Sequence, residues 1–261
     1  MSKITYSVFT KAWRDMPLPE LAKHVKALGF DAIELPVRPK FQVTPDRVGT
    51  DLPAAGRIMA DHGVSIASIS GPLDEPTFAA MAEAGVGINR LCEYTGGQKY
   101  LEAEAKIIAK YQALVPLLEQ YHVTIGVQNH CDDYIANATQ MRRVCAPFDR
   151  RHVAAVWDQC HCALNGEVPE QAIDIVWDRL CMVNLKNAYW RRKNGLEAEV
   201  AQWEVYWTSG RQGLACWPKV VEELKKRDFS GLVCLTNEYS DEASGNRLIA
   251  EDMAFAKSLF A

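Results

Sequence analysis

The chain has 261 residues, 48% hydrophobic and 24% charged, which is enough apolar material for one sizeable buried core. A formal net charge of −4 offers no broad basic face to a phosphate backbone, so nucleic acid is not an expected partner. No run approaches the roughly 18 apolar residues of a membrane helix, and the opening MSKITYSVFT lacks the apolar stretch of a secretory leader. The eight cysteines follow no framework spacing. The expectation is therefore a cytoplasmic protein with reduced thiols and no membrane contact.

In chain order, short β-branched apolar runs alternate with amphipathic stretches. ITYSVF from Ile4 predicts a first strand, and PELAKHVKALG a helix. DAIELPV from Asp31 and PAAGRIMADHG follow, then VSIASIS from Val64 with PTFAAMAEAG. VGINRLCEY from Val86 precedes the long helical pattern EAEAKIIAKYQALVPLLEQYH. VTIGVQNH from Val123 is paired with NATQMRRVCA, and HVAAVWD from His152 with PEQAIDIVWDRL. LCMVNLKN from Leu180 comes before WPKVVEELKKRD, and LVCLTNE from Leu232 before a last helix reaching Phe260. Gly29, Gly63 and Gly85 end helices just before strands, where a left-handed cap costs glycine least. Pro19, Pro53, Pro76, Pro169 and Pro218 mark helix starts, where a missing N–H is harmless.

Eight near-continuously apolar strands, each followed by a helix, predict a parallel sheet covered by helices, and eight is the number that closes a barrel. The turn after the first strand, TKAWRDMPLP, lacks the glycine-rich phosphate turn of an open nucleotide-binding sheet. The expectation is an α/β protein, a (β/α)8 TIM barrel forming one domain over 1–261.

Barrel sites are built at the C-terminal strand ends. The polar residues there are Glu34, Glu93, Gln128, Asn129, His130, Asp158, His161, Asn184, Lys186, Thr236, Asn237 and Glu238. Acids, histidines, amides and a lysine converging on a barrel mouth suit a polar, oxygen-rich ligand and proton transfer. Asp158, His161, Lys186, Glu238 and Glu34 are the candidate catalytic residues. Gln128, Asn129, His130 and Asn184, with Trp190 and Arg211, are the candidate substrate-binding residues. Between the seventh strand and its helix, the segment 187–217 holds Tyr189, Trp190, Trp203, Tyr206, Trp207 and Trp217. Its length and aromatics predict a long loop acting as a lid or an interface, which leaves a homo-oligomer open.

The pieces LPELAKHVKALGFDAIEL, VTIGVQNH, VWDQCH, VNLKNA and GLVCLTNEY, spread over the whole chain, resemble the xylose-isomerase-like sugar phosphate isomerase/epimerase superfamily. Inosose dehydratase, hydroxypyruvate isomerase, ketose 3-epimerases and endonuclease IV are members. The resemblance implies a divalent metal held by a strand-five glutamate, a strand-six aspartate, a strand-seven histidine and a strand-eight glutamate. The matching positions here are Gln128, Asp158, Asn184 and Thr236. Glu238, two residues past Thr236, would point to the same side if the strand continued. His161 matches the superfamily's D-x-x-H histidine, and Glu34 its strand-two glutamate.

Two amides and a hydroxyl in place of two carboxylates and an imidazole remove charge and a nitrogen donor. No tightly bound cofactor is expected; weak divalent metal binding stays open, through Asp158, His130, His161 and Glu238 if anywhere. Two functions remain. One is an isomerase- or epimerase-type enzyme acting on a small sugar, polyol or keto-sugar by proton transfer next to a carbonyl. The other is a non-catalytic sugar-binding or accessory subunit on the same scaffold.

Overall fold

A computed structural model describes residues 3–261. The elements run β1 (Ile4–Phe9), α1 (Leu18–Ala27), β2 (Ala32–Pro36), α2 (Val48–Asp61), β3 (Ser65–Ser70), α3 (Glu75–Ala84), β4 (Ile88–Cys92) and α4 (Tyr100–Tyr121). They continue with β5 (Thr124–Gln128), α5 (Ala138–Cys145), β6 (Val153–Asp158), α6 (Gln159–Leu164), α7 (Pro169–Val176) and β7 (Leu180–Leu185). The last are β8 (Asn187–Arg192), β9 (Trp203–Thr208), α8 (Trp217–Lys226), β10 (Gly231–Leu235) and α9 (Gly245–Phe260). β1 to β7 and β10 close in chain order into a parallel barrel, β10 pairing with β1 and β7. All eight expected strands are present, and the fold is a (β/α)8 barrel.

Period-two alternation divides the strands' side chains between two cores. Phe9, Val156, Met182, Leu232 and Cys234 plug the barrel interior. The outward residues, Trp157 among them, pack with the helices in the larger core. Trp157 is fully buried, and truncating such a side chain to alanine costs about 3–5 kcal/mol. Gly126 faces inward, where a Cβ would stand 2.7 Å from Val156 and 3.1 Å from Ile88; only glycine leaves room there.

Gly29, Gly63 and Gly85 have φ of +87°, +67° and +70°, as expected for left-handed helix ends. Pro53 departs from expectation. It lies inside α2, which begins a turn earlier at Val48. The segment 187–217 is not a loop either: β8 and β9 form an antiparallel hairpin, from Asn187 opposite Thr208 to Arg192 opposite Trp203. Six-residue α6 also escaped the periodicity, being too short to show one. All eight cysteines are free thiols. Among the described residues no helix is long and apolar enough to cross a membrane.

Candidate active site

Inward-facing positions at the C-terminal strand ends surround a cavity of about 390 Å³. Behind the lining residues Gln128 and His161 lies Asp158, which follows Val156 on the inward side of β6 and is fully buried. Oδ1 accepts from the backbone N–H of Cys160 (3.1 Å) and His161 (3.3 Å), capping the first turn of α6. Oδ2 accepts from Gln128 Nε2 at 2.9 Å and Asn184 Nδ2 at 3.5 Å. Burial raises the Asp158 pKa, against the opposing pull of Lys186. The amides thus work as donors to the one carboxylate, while Gln128 Oε1 and Asn184 Oδ1 stay buried without partners.

Asn129, one residue on from Gln128, faces the other way. Its side chain exchanges hydrogen bonds with the Asp158 main chain, Nδ2 to O at 2.9 Å and N to Oδ1 at 2.8 Å. It also donates to Cys162 Sγ. This amide braces β5 to β6 and does not reach the cavity, which corrects its expected substrate-binding role.

One end of the cavity lies under β7 and β10. Lys186, immediately after β7, is 6% exposed, and its Nζ donates to Glu238 Oε2 at 2.6 Å. Lys11 Nζ donates to Glu238 Oε1 at 2.8 Å. Burial works to raise the Glu238 pKa, but the two ammoniums overcome it and hold the carboxyl well below its usual range. Burial likewise opposes the Lys186 cation, and Glu238 with Asp158 overcomes that, raising its pKa. β10 ends at Leu235, and Asn237 takes a φ of +48°, so strand alternation does not bring Glu238 inward. The turn does, and Glu238 and Thr236 both line the cavity. Trp207 of β9 lies over Lys186, with Nζ 3.7 Å from its ring centroid.

Two histidines complete this end. His161 Nδ1 accepts from the Cys131 N–H at 3.1 Å, which assigns its proton to Nε2. Burial, then the Lys186 charge, pushes its pKa well down, so the ring is neutral. Nε2 has no hydrogen-bond partner and lies 3.8 Å from Asp158 Oδ2, too far to bond. His130 packs against it, ring centroids 4.0 Å apart. His130 Nδ1 meets the Cys131 carbonyl at 2.8 Å; a carbonyl only accepts, so Nδ1 carries a hydrogen, and Nε2 is the nitrogen that can accept a proton.

The opposite wall was not anticipated. Arg90, in the middle of β4, and Arg38, two residues past β2, both line the cavity. Their guanidiniums share the Phe9 ring, at 4.6 and 5.7 Å from its centroid. Fully buried Glu34 forms an ion pair with Arg90 and accepts from Ser68 Oγ at 3.2 Å. Glu34 therefore lies behind Arg90 and does not line the cavity, correcting its expected catalytic role. Arg90 is legible in the sequence as a charge inside an apolar strand. Glu93 faces outward, where Tyr111 Oη donates to it at 2.6 Å and Lys110 pairs with it.

Gln128, His130, His161, Lys186 and Glu238 thus meet at one cavity, with Asp158 bonded to Gln128 and Asn184 behind it. Trp190 and Arg211 do not join them. Trp190 sits on β8 of the hairpin, 38% exposed, its indole N–H donating to the Leu164 carbonyl. The Arg211 guanidinium covers the Phe255 ring at 3.7 Å, on α9.

The donors do not fit the divalent metal that the superfamily resemblance implies. Asp158 already accepts four N–H groups, and a buried ammonium is coupled to both Asp158 and Glu238. A dication would face that charge without the deprotonated donors a tight site needs. His130, Cys131 and His161 bring ligand atoms within 4.8 Å of one another. However, burial and Asp132 push the Cys131 thiol up to about 12, and His161 Nδ1 is already engaged.

A search of the curated proteins gives no sequence match. Solved structures are similar across the whole fold. 3-Keto-D-glucoside 4-epimerase, YcjR, from E. coli has a TM-score of 0.73 at 13% identity, covering 98% of this chain and 100% of that one. D-psicose 3-epimerase with D-tagatose from Clostridium cellulolyticum H10 has a TM-score of 0.74 at 12% identity, covering 100% and 99%. The probable 3-DHS dehydratase AsbF from Bacillus anthracis has a TM-score of 0.74 at 12% identity, covering 97% and 98%. The family model described as xylose isomerase-like TIM barrel matches residues 22–259, and the chain belongs to that family.

Proposed function

We propose that this protein is an isomerase- or epimerase-type enzyme that moves a proton on the carbon next to the carbonyl of a small keto-sugar, using side chains alone. The complementary pair of histidines beside Lys186 carries the reading. His130 presents Nε2 as a proton acceptor, and His161 presents an N–H on Nε2, within one cavity. A base and an electrophile are thereby set side by side.

In the proposed reaction His130 Nε2 takes the proton. The C–H bond breaks, an N–H bond forms, and the electron pair moves onto the carbonyl oxygen as an enediolate. Lys186 Nζ and His161 Nε2–H donate to that oxygen, stabilising charge that exists only after the proton has left. Returning the proton to the former carbonyl carbon, with the hydroxyl proton of the neighbouring carbon passing to the enediolate oxygen, gives an isomer; protonation of the original carbon on its opposite face, by a donor other than His130, gives an epimer. Glu238, held ionised between two lysines, is a poor base and instead aims Lys186. Asp158, its oxygens occupied by four donors, positions Gln128, Asn184 and the first turn of α6. In this reading the base is His130, and the candidate catalytic carboxylates Asp158 and Glu238 hold its surroundings in place.

The test is deuterium uptake from D2O into the position next to the carbonyl, followed by proton NMR over a panel of ketoses and keto acids. Exchange with at least one of them, falling by about a hundredfold or more in His130→Gln, is the expected result. Binding of those compounds without any exchange would replace this reading with the non-catalytic sugar-binding one.

A further inference from the structure

The cavity has two chemically distinct ends. β3 stands four strands from β7 in the eight-stranded ring, so the two are diametrically opposed. Lys186, His161 and Glu238 belong to the β6–β7–β10 side. Arg38, Ser70 and Arg90 come from β2, β3 and β4 or just beyond, centred on β3. The proton-transfer reading uses the first end and leaves the second without a task.

The cavity as a whole is unusual in its charge. Lys11, Arg38, Arg90 and Lys186 line the cavity, and Glu238 is the carboxylate that lines it with them. Lys11 and Lys186 are both satisfied by Glu238, and Arg90 by Glu34 behind it. Arg38 has no carboxylate partner among the described residues. Its Nη2 donates to Ser70 Oγ at 2.8 Å, which aims the guanidinium. Arg90 Nε is buried and lacks a hydrogen-bond partner. Burial, then the neighbouring Arg90 charge, lowers the Arg38 pKa, so the cation is held where its surroundings disfavour it. An arriving anion would relieve both costs, and guanidinium forks match carboxylate and phosphate oxygens in geometry as well as charge.

We propose that the substrate carries an anionic group, a carboxylate or a phosphate, which docks on Arg38 and Arg90 while the reacting carbonyl lies at Lys186. The orientation rests on the proton-transfer reading; the anion site does not. Phosphate sites in barrels of this kind are commonly built after the seventh and eighth strands, so this anchor sits on the other side of the mouth. A cavity of about 390 Å³ is of the size that encloses a small ligand reaching both ends.

Isothermal titration of the full chain with inorganic phosphate, D-gluconate and neutral D-glucitol tests this without turnover. At least one anion should bind about tenfold or more tightly than D-glucitol, and lose about tenfold in Arg38→Gln. Whichever anion binds more tightly identifies the group as phosphate or carboxylate. Should Arg38→Gln fail to fold, Arg38→Lys keeps the charge, loses the fork, and should weaken the same anion by a similar factor. Anions binding no better than D-glucitol, or binding unchanged in the folded variant, would overturn the assignment. Anion binding without deuterium exchange would leave the anchor standing and remove the reaction. Exchange on neutral ketoses with no preference for anions would do the reverse.

Discussion

Replacing Glu34 by glutamine keeps the shape of the side chain and removes the one carboxylate facing Arg90. The guanidinium is 6% exposed and cannot shed its proton, so the variant leaves an uncompensated buried charge. Such losses cost about 3–5 kcal/mol. The Phe9 ring, 4.6 Å from the guanidinium carbon, retains part of the attraction, worth about 1–2 kcal/mol. The expected destabilisation for Glu34→Gln is therefore about 3 kcal/mol, or roughly 6–12 °C in melting temperature for a chain of this size. The double variant Glu34→Leu with Arg90→Met removes both charges and should return to within about 1.5 kcal/mol of the parent. Urea unfolding followed by tryptophan fluorescence measures all three, provided the slopes agree. Were Glu34 a catalytic acid, Glu34→Gln would lose turnover at unchanged stability. That outcome, or a double variant no more stable than the single one, would refute the assignment of Glu34 as the counter-charge of Arg90.

Lys186→Met should slow deuterium exchange by about a hundred- to a thousandfold while the protein stays folded, and should let the Glu238 carboxyl titrate nearer its usual range by NMR. An unchanged exchange rate would remove Lys186 from the reaction. Asp252 on α9 accepts from the Gly210 N–H and the Tyr239 hydroxyl; burial, opposed by those bonds, raises its pKa from 3.8 to about 6. The folded chain thus holds this proton more tightly than the unfolded one. Its contribution to stability is complete below pH 3.8 and is lost as pH rises to about 6, a total of about 3 kcal/mol. The stability difference between parent and Asp252→Asn should follow that window, and parallel pH profiles would contradict it. Trp207→Ala uncovers Lys186 and should weaken ligand binding severalfold without unfolding the barrel; equal affinity would show that the hairpin does not shield the site. Elemental analysis of protein purified without chelator should find well under one equivalent of manganese, zinc or cobalt. Stoichiometric metal that is lost in Asp158→Ala would establish a cage from the residues present.

The barrel was legible because its signals are local. Strand runs such as HVAAVWD and glycine caps such as Gly85 act within a few residues, through side-chain alternation and φ. The mouth followed, since consecutive βα units place every strand's C-terminal end on one face. Asp158, His161 and Lys186 were legible as polar groups ending apolar strands. Roles within the mouth were not local. Arg90 and Arg38 became a pair only when strand pairing set β2 and β4 on either side of β3. Glu34 changed from a candidate acid to a counter-charge for the same reason. Asn129 and Gln128, adjacent and chemically alike, were separated by strand alternation into a brace and a cavity wall. The proton positions on His130 and His161 depend on which nitrogen meets the Cys131 carbonyl and which meets its N–H. Sequence periodicity encodes which way a side chain points, whereas what it meets there is contributed by strands distant in the chain.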